Sequence, residues 1–551
     1  MSSGKYCIGL DFGTDSVRAV LVNAFTGMEQ AASVFEYPRW KAGLYCDAAK
    51  NQFRQHPLDY IEGLEYTIRE CVSIAGPAIA GEVVAISITA TGSTPVAVNE
   101  QGIPLALQTE FSDNPNAMFL LWKDHSAMKE AEDINRVAAG WEIDYLKYAG
   151  GVYSPEWSWA KLLFVLRTDT LVRAHCFTWM EHSDWIPFLL TGQTRAIDLK
   201  RNVCAAGHKA LWAAEHHGFP SREFLRAVDP LLEEYCGKIN APVFTADQAA
   251  GRLSESWAMR LGLPLTVKVG VGAIDAHVGA IGAQIEPGYL AKIIGTSTCD
   301  MLVVPKADFQ GKFVKGICGQ VDGSIIPGMI GLEAGQAAFG DVYSWFKNLL
   351  LWPVKNLQSA DNIPSAIVEK ITDELLKSLD EQAGKILIDE NSELAIDWIN
   401  GRRTPDANLF LKGAITQISI GSDAPAIYAA LVEATCFGAK KIIERFYEQG
   451  INIKGIIGVG GIARKSPFVM QMMADILEIP IKINKSDQVC ATGAAMLAAT
   501  VAGIYTNVED AMRSIGAGFD KIYYPDEKRS AVLQLRYKKY NAVCGLAEYG
   551  L

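Results

Sequence analysis

The chain has 551 residues, 49% hydrophobic and 21% charged, which is the balance of a folded globular protein too long for one ordinary core. Its formal net charge of −11 argues against a nucleic-acid partner, whose affinity rests on lysine and arginine neutralising phosphates. No apolar run is long enough to span a bilayer, so no membrane association is expected.

The opening MSSGKYCIGLDF shows no charged leader followed by an apolar core, and a cytoplasmic protein is expected. The 11 cysteines are scattered without a C-x-x-C pair, which reads as reduced thiols, and no H-E-x-x-H or other local zinc motif is present.

In chain order, KYCIGLDFG and VRAVLVNA predict a β-hairpin that turns on Gly13, Thr14, Asp15 and Ser16. A helix is expected from Leu58 to Cys71, then a strand at VVAISITA. The stretch from Trp122 to Trp212 is rich in tryptophan, and SWAKLLFVLR and DWIPFLLTG read as amphipathic helices with glycine or proline stops. LTVKVGVGAID reads as a buried strand ending on Asp275, with AHVGAIGA as a small-residue helix behind it. LAKIIGTSTCDMLVV, at 290–304, then repeats the opening: apolar strand, Gly-Thr-Ser-Thr turn, apolar strand.

Two such units separated by most of a domain predict two related α/β halves, divided within 265–290 and assigned here as 1–278 and 279–551. AIVEKITDELLKSLDEQAGK is expected to be a helix with a solvated face. IKGIIGVGGIARKSPFVMQMMADIL reads as strand, glycine turn and helix, with Ser466 as N-cap and Pro467 at the first helical position.

Turns of glycine, threonine and serine bring backbone N–H groups and hydroxyls together, which is what a phosphate needs. The pair of hairpins therefore predicts a phosphate cradle, against the alternative of ordinary turns bonded to their own side chains. Asp11, at a strand end beside the first turn, is placed to hold magnesium through water. Asp275 is either a carboxylate at a cleft or the N-cap of the following helix, and both can hold together. A Walker sequence is absent, because Arg464 stands where its glycine belongs. GVGGIA (458–463) satisfies the looser G-x-G-x-x-A dinucleotide pattern, but no acidic residue ends the next strand.

These segments, with LWKDHSA, AAGHKALW, GAIDAHVGA, GLEAGQAAFGD and DWINGRRTPDANLFLKGAI, resemble the FGGY family of carbohydrate kinases in order and over nearly the whole chain. The resemblance implies two lobes of the actin, hexokinase and heat-shock ATPase type with a cleft between them. It implies transfer of a phosphoryl group from ATP, with magnesium, to a ketopentose; L-ribulose in arabinose breakdown is favoured, D-ribulose is a second candidate, and xylulose and glycerol kinases are the alternatives. A non-catalytic actin-like ATPase is the reading from a different class.

By resemblance, Gly13, Thr14, Asp15, Ser16, Arg18, Gly295, Thr296 and Ser297 lie near ATP, and Gly460, Gly461 and Arg464 line its adenosine side. Asp275 is the implied catalytic base. Gly92, Ser93, Trp122, Lys209, Asp275 and Glu333 are the implied sugar contacts. Small-molecule substrates are the only partners implied besides further copies of the chain, as a homodimer or homotetramer.

Overall fold

The computed structural model describes residues 4–239, 242–361 and 364–548. Its first sheet contains β1 (Tyr6–Phe12), β2 (Ser16–Asn23), β3 (Glu29–Glu36), β4 (Val83–Ala90), β5 (Ala249–Arg252) and β6 (Lys268–Gly270). They lie in the order β3-β2-β1-β4-β6-β5. Strands β1 to β3 are antiparallel, β4 and β6 run parallel to β1, and β5 closes the edge antiparallel.

The second sheet contains β7 (Tyr289–Ile294), β8 (Thr298–Pro305), β9 (Gly319–Asp322), β10 (Met329–Ala334), β11 (Gly455–Val459), β12 (Ile481–Asn484) and β13 (Phe519–Tyr523). Its order is β9-β10-β8-β7-β11-β12-β13. From β10 to β13 the directions repeat those of β3 to β5, and β9 is an added edge strand. The repetition read from two turns is thus a repetition of whole sheets. One difference is that β5 precedes its neighbour β6 in the chain, whereas β13 follows β12.

The central strands are covered on both faces, so they are near-continuous apolar runs rather than alternating ones. Cys7, Ile8, Leu10 and Phe12 of β1 are all fully buried. Helix α1 (Pro57–Ala75) begins on a proline after a His56 cap and buries Tyr60, Leu64, Ile68 and Cys71, the spacing of one helical face. Its Gly63 lets it lie against Val17 and Phe35; a Cβ there would stand 2.5 Å from the Val17 side chain.

Helices α2 (Ser158–Thr168) and α3 (Val203–Ala210) follow in the tryptophan-rich region. Helix α4 (Asp275–Gly282) opens the passage to the second sheet, and α5 (Gly340–Asp361) follows it. Helix α6 (Ser365–Ala383) buries only Leu379 and Ala383, so most of its surface is solvated as expected. The Ser466 hydroxyl accepts from Val469 N–H at 3.1 Å and Pro467 starts α7 (Pro467–Leu477), as read from the sequence. A short helical turn, Gly461–Lys465, intervenes between the glycines and that cap.

The last element of the junction, α8 (Val489–Ala502), is apolar on every side because it is buried on every side. It packs with α4, β1 and β4 of the first half and with β7, β8 and β11 of the second in one cluster containing Cys7, Ala85, Ala280, Ala291, Met301, Ile457 and Ala495. Here α4 and α8 meet backbone to backbone. A Cβ on Gly282 would lie 1.9 Å from the Val489 carbonyl oxygen, and one on Gly493 would lie 2.2 Å from that of Val278.

The reading of LTVKVGVGAID as one strand ending on Asp275 is corrected. The run breaks into Lys268–Gly270 and Ala273–Ile274, Ile274 takes the cap position, and Asp275 is the first helical residue. The break has a steric cause: at Gly272 the chain presses against the helix His182–Leu190, where a Cβ would stand 2.0 Å from the Ser183 carbonyl oxygen. No described helix is long and apolar enough to cross a membrane.

Candidate active site

The first hairpin is closed by Gly13 N–H donating to the Ser16 carbonyl at 2.9 Å. Its turn is gripped from outside. The Trp122 indole N–H donates to Thr14 Oγ1 at 2.9 Å, Gln55 Nε2 to the Thr14 carbonyl at 2.6 Å, and the Trp40 indole to Asp15 Oδ1 at 2.7 Å. Behind the turn, register places Asp11 opposite Arg18, with Arg18 Nη1 3.6 Å from Asp11 Oδ2. Burial pushes the Asp11 carboxyl up to about 6 despite the arginine.

The second hairpin closes one residue tighter, Gly295 N–H donating to the Ser297 carbonyl at 2.9 Å. The start of α5 seats it: Phe339 and Asp341 N–H donate to the Thr296 carbonyl at 2.8 and 3.0 Å. Gly460 has φ of +105°, and a Cβ on it would stand 2.3 Å from the Ile294 carbonyl oxygen. The glycine turn after β11 therefore lies directly against the end of β7 and its hairpin. Arg464 is ion-paired with Asp487.

Asp275 is half-buried, and its Oδ1 accepts from Ala276 N–H at 2.7 Å. Burial, then the charge of Asp11, raises its carboxyl to about 7 against the pull of Ala276 N–H and Lys209. The same carboxylates, Asp11 and Asp275, together with Cys299 just past the second hairpin, surround Cys490 of α8 and, after burial, push its thiol well up. Both hairpins and Asp275 thus converge on one place at the junction.

Beside Asp275, Lys209 of α3 places its ammonium 3.1 Å from each carboxylate oxygen of Glu333 on β10. His208 Nδ1 and His277 Nε2 stand 3.2 and 3.7 Å from Glu333 Oε2. Burial works to raise the Glu333 carboxyl, but Lys209 and the two imidazoles hold it well below its usual range. Burial lowers His277 to about 4 and His208 well below its ordinary value.

Gly92 packs on Ile274, the residue before Asp275; a Cβ on Gly92 would meet Ile274 Cγ1 at 2.7 Å. The Ser93 hydroxyl donates to Glu181, whose other oxygen accepts from Thr94 N–H at 2.8 Å. Lys161 of α2, fully buried, donates to the carbonyls of Ser93 and Leu121 at 2.8 Å and of Leu120 at 3.3 Å. One ammonium thereby ties the Gly92–Ser93 turn to the segment that leads into Trp122.

Of the residues singled out from the sequence, Asp11, Asp275, Lys209 and Glu333 gather at the junction, with Gly92 one residue contact away. Trp122 is bonded to the first hairpin. Residues not anticipated are His208, His277, Lys161, Glu181 and Arg403. His277 stands two residues after Asp275 and His208 directly before Lys209, so both were within sight of flagged positions. Arg403 is set among Glu156, Cys318, Cys299 and Glu333, which push it up although burial opposes its charge; nothing in its local sequence marks it.

A duplicated α/β fold with a hydroxyl-lined hairpin in each half and a carboxylate between them is the architecture of the actin- and hexokinase-like ATP-dependent kinases. Residues 6–282 match the N-terminal domain model of the FGGY family of carbohydrate kinases, and residues 290–502 match its C-terminal domain model. The chain belongs to that family and is an ATP-dependent sugar kinase.

It is 46% identical over 537 residues to a ribulokinase from Vibrio parahaemolyticus serotype O3:K6, covering 97% of this chain and 95% of the relative. A ribulokinase from Anoxybacillus flavithermus is 35% identical, covering 97% and 93%. The crystal structure of a xyloylose kinase from Brucella ovis superposes with a TM-score of 0.77 at 18% identity, covering 97% and 98%, a likeness of fold.

Proposed function

We propose that this chain transfers the γ-phosphoryl group of ATP to the 5-hydroxyl of L-ribulose, with D-ribulose as a second candidate substrate, in the breakdown of arabinose. The observation that carries this reading is the grouping of Asp275, Lys209 and Glu333 beside two phosphate-type hairpins, in a chain nearly half identical to a ribulokinase.

In this reading Asp275 is the general base. Its carboxyl sits near neutrality, where it accepts the proton of the attacking hydroxyl as the new O–P bond forms and ADP leaves. The turns Gly13–Ser16 and Gly295–Ser297 offer N–H groups and hydroxyls to the phosphates, with Arg18 as the nearby cation. Gly460 and Gly461 face adenosine; Arg464 contributes through its packing, since its charge is already answered by Asp487. Lys209 and Glu333 fix sugar hydroxyls, and Gly92, Ser93 and Trp122 close the rim.

Asp11 and Asp275 fit a hydrated magnesium ion: both are oxygen donors, and the charge of one raises the other. Magnesium held there through water would shield the charge of the phosphates. We take the enzyme as cytoplasmic, with residues 1–278 and 279–551 as its lobes and a homodimer or homotetramer as its assembly, the latter read out by light scattering.

The test is ADP release with magnesium and ATP, without sugar and then with L-ribulose, D-ribulose, D-xylulose, L-xylulose and glycerol separately. Strongest stimulation by L-ribulose is expected. Basal hydrolysis that no sugar stimulates would overturn the assignment.

A further inference from the structure

His208 and His277, which the proposed phosphoryl transfer does not use, gather on Glu333, which it does. Their ligand-type atoms all lie within 4.8 Å of one another, and all three residues are buried. They come from three separate elements, α3, α4 and β10, at positions 208, 277 and 333. That spacing is why no local motif announced them.

One ring nitrogen of His208 is hydrogen-bonded and the other is not. The Ser324 hydroxyl stands 3.2 Å from the Val321 carbonyl and 3.1 Å from His208 Nε2. Nδ1 makes no hydrogen bond and stands 3.2 Å from Glu333 Oε2.

His277 adds a third donor to the same point. Both its ring nitrogens are buried without a hydrogen-bond partner, as is His208 Nδ1. Nε2 lies 3.7 Å from Glu333 Oε2. Ligand atoms on a tetrahedral zinc ion with bonds of 2.0–2.1 Å stand about 3.3 Å apart; the two separations to Glu333 bracket that spacing, and the two imidazole nitrogens lie within 4.8 Å of each other. Ser324 supplies the outer hydrogen bond that ligating histidines characteristically have.

We propose that His208, His277 and Glu333 form a site for a zinc-class divalent cation, which competes with the sugar for Glu333 and ties the two halves together. Two imidazoles and one carboxylate leave a fourth position open for water and select a borderline metal over magnesium, which prefers oxygen donors. Lys209 is the built-in opponent, because its ammonium already occupies both oxygens of Glu333. The metal takes Oε2 and leaves Lys209 only Oε1. The competition with sugar rests on the reading of Glu333 given above; the metal site itself does not.

The experiment uses the full-length chain freed of metal. Cobalt(II) is added as a spectroscopic stand-in, and zinc is titrated by calorimetry with excess magnesium present. Intense visible cobalt bands, zinc binding weakened at least about tenfold in His277→Leu, and tighter zinc binding in Lys209→Met are expected. Absence of the cobalt bands from the wild-type protein, or equal zinc affinity in His277→Leu, overturns the site, whatever the kinase assay gives. L-ribulose should bleach the cobalt bands. Bands that depend on His277 but ignore L-ribulose would keep the metal site and remove Glu333 from the sugar site.

Discussion

Lys209 and Glu333 come from opposite halves of the chain and make a two-pronged ion pair, Nζ standing 3.1 Å from both carboxylate oxygens. Both are buried, so the pair is worth little for stability compared with apolar packing, but removing one member strands the other without solvent. Lys209→Met should lower kcat/KM for sugar by about 10²–10³ and destabilise the fold by about 3 kcal/mol. Adding Glu333→Gln should recover much of the stability and none of the activity. A double-mutant cycle on both quantities checks this, and parallel recovery of activity would remove the pair from the sugar site.

Asp275 should trade stability for chemistry. As general base it must be ionised, and with its carboxyl near 7 the rate at subsaturating sugar should fall about tenfold per pH unit below that value. The sign for stability is opposite to that of a salt-bridged aspartate. The folded state holds this proton more tightly than the unfolded chain does, so stability declines as pH rises from about 4 to about 7 and stays lower above. Asp275→Asn should therefore abolish turnover while raising stability at pH 8 by about 1–2 kcal/mol, the discount reflecting its half-buried position. Thermal melts of both proteins at pH 5 and 8 decide it: a gain that does not grow with pH contradicts the assigned titration.

What could be read in the sequence was local chemistry. The two hairpins, the strand at 83–90 and the Ser466–Pro467 helix start are encoded by neighbours along the chain, and each stands where its residues predict. Asp275 was placed at the right point but on the wrong element, because the break before it is imposed by Ser183, almost ninety positions away in sequence. The same holds for the site. Asp11 and Asp275 were flagged by their own places at strand ends, whereas Lys209 and Glu333 were pointed to only by the family resemblance. Lys161, Glu181 and Arg403 acquire their partners only through folding, since an isolated lysine or arginine in a helix or loop reads as solvated. Lys161 did carry one signal: it lies within the run Trp159–Val165, where every other residue is apolar, and its neighbours Ala160 and Leu162 are buried with it.

The crossing of α4 and α8 makes a prediction about motion. Gly282 and Gly493 allow backbone contact where a Cβ would stand 1.9 and 2.2 Å from carbonyl oxygens of the opposite helix. Gly493→Ala must push the helices apart at the point where both halves share a core, at a cost of about 2–3 kcal/mol. Because Asp275 heads α4 and α8 packs against β1, which carries Asp11, KM for sugar and kcat should worsen together, as expected for a change in closure. Melting temperature and steady-state kinetics measure the two effects, and unchanged kinetics in a destabilised variant would make the crossing purely structural.

Lys161 offers the sharpest test of how the sugar side is held. Its ammonium is fully buried and serves the carbonyls of Ser93, Leu120 and Leu121. Burial lowers its pKa, with Glu181 and Glu156 pulling the other way, so this cation is kept only by its surroundings. Lys161→Met fills the same space and withdraws the donor, leaving buried carbonyls unsatisfied at about 1–3 kcal/mol each. Lys161→Arg should not rescue it, because a planar guanidinium cannot point three ways from one atom. The turn at Gly92–Ser93 and the approach to Trp122 would then lose their common anchor, while the second hairpin and Gly460 would keep theirs. KM for L-ribulose should rise about tenfold in Lys161→Met, with KM for ATP changing much less. Equal changes in both constants would mean that Lys161 supports the whole first half rather than positioning the sugar side.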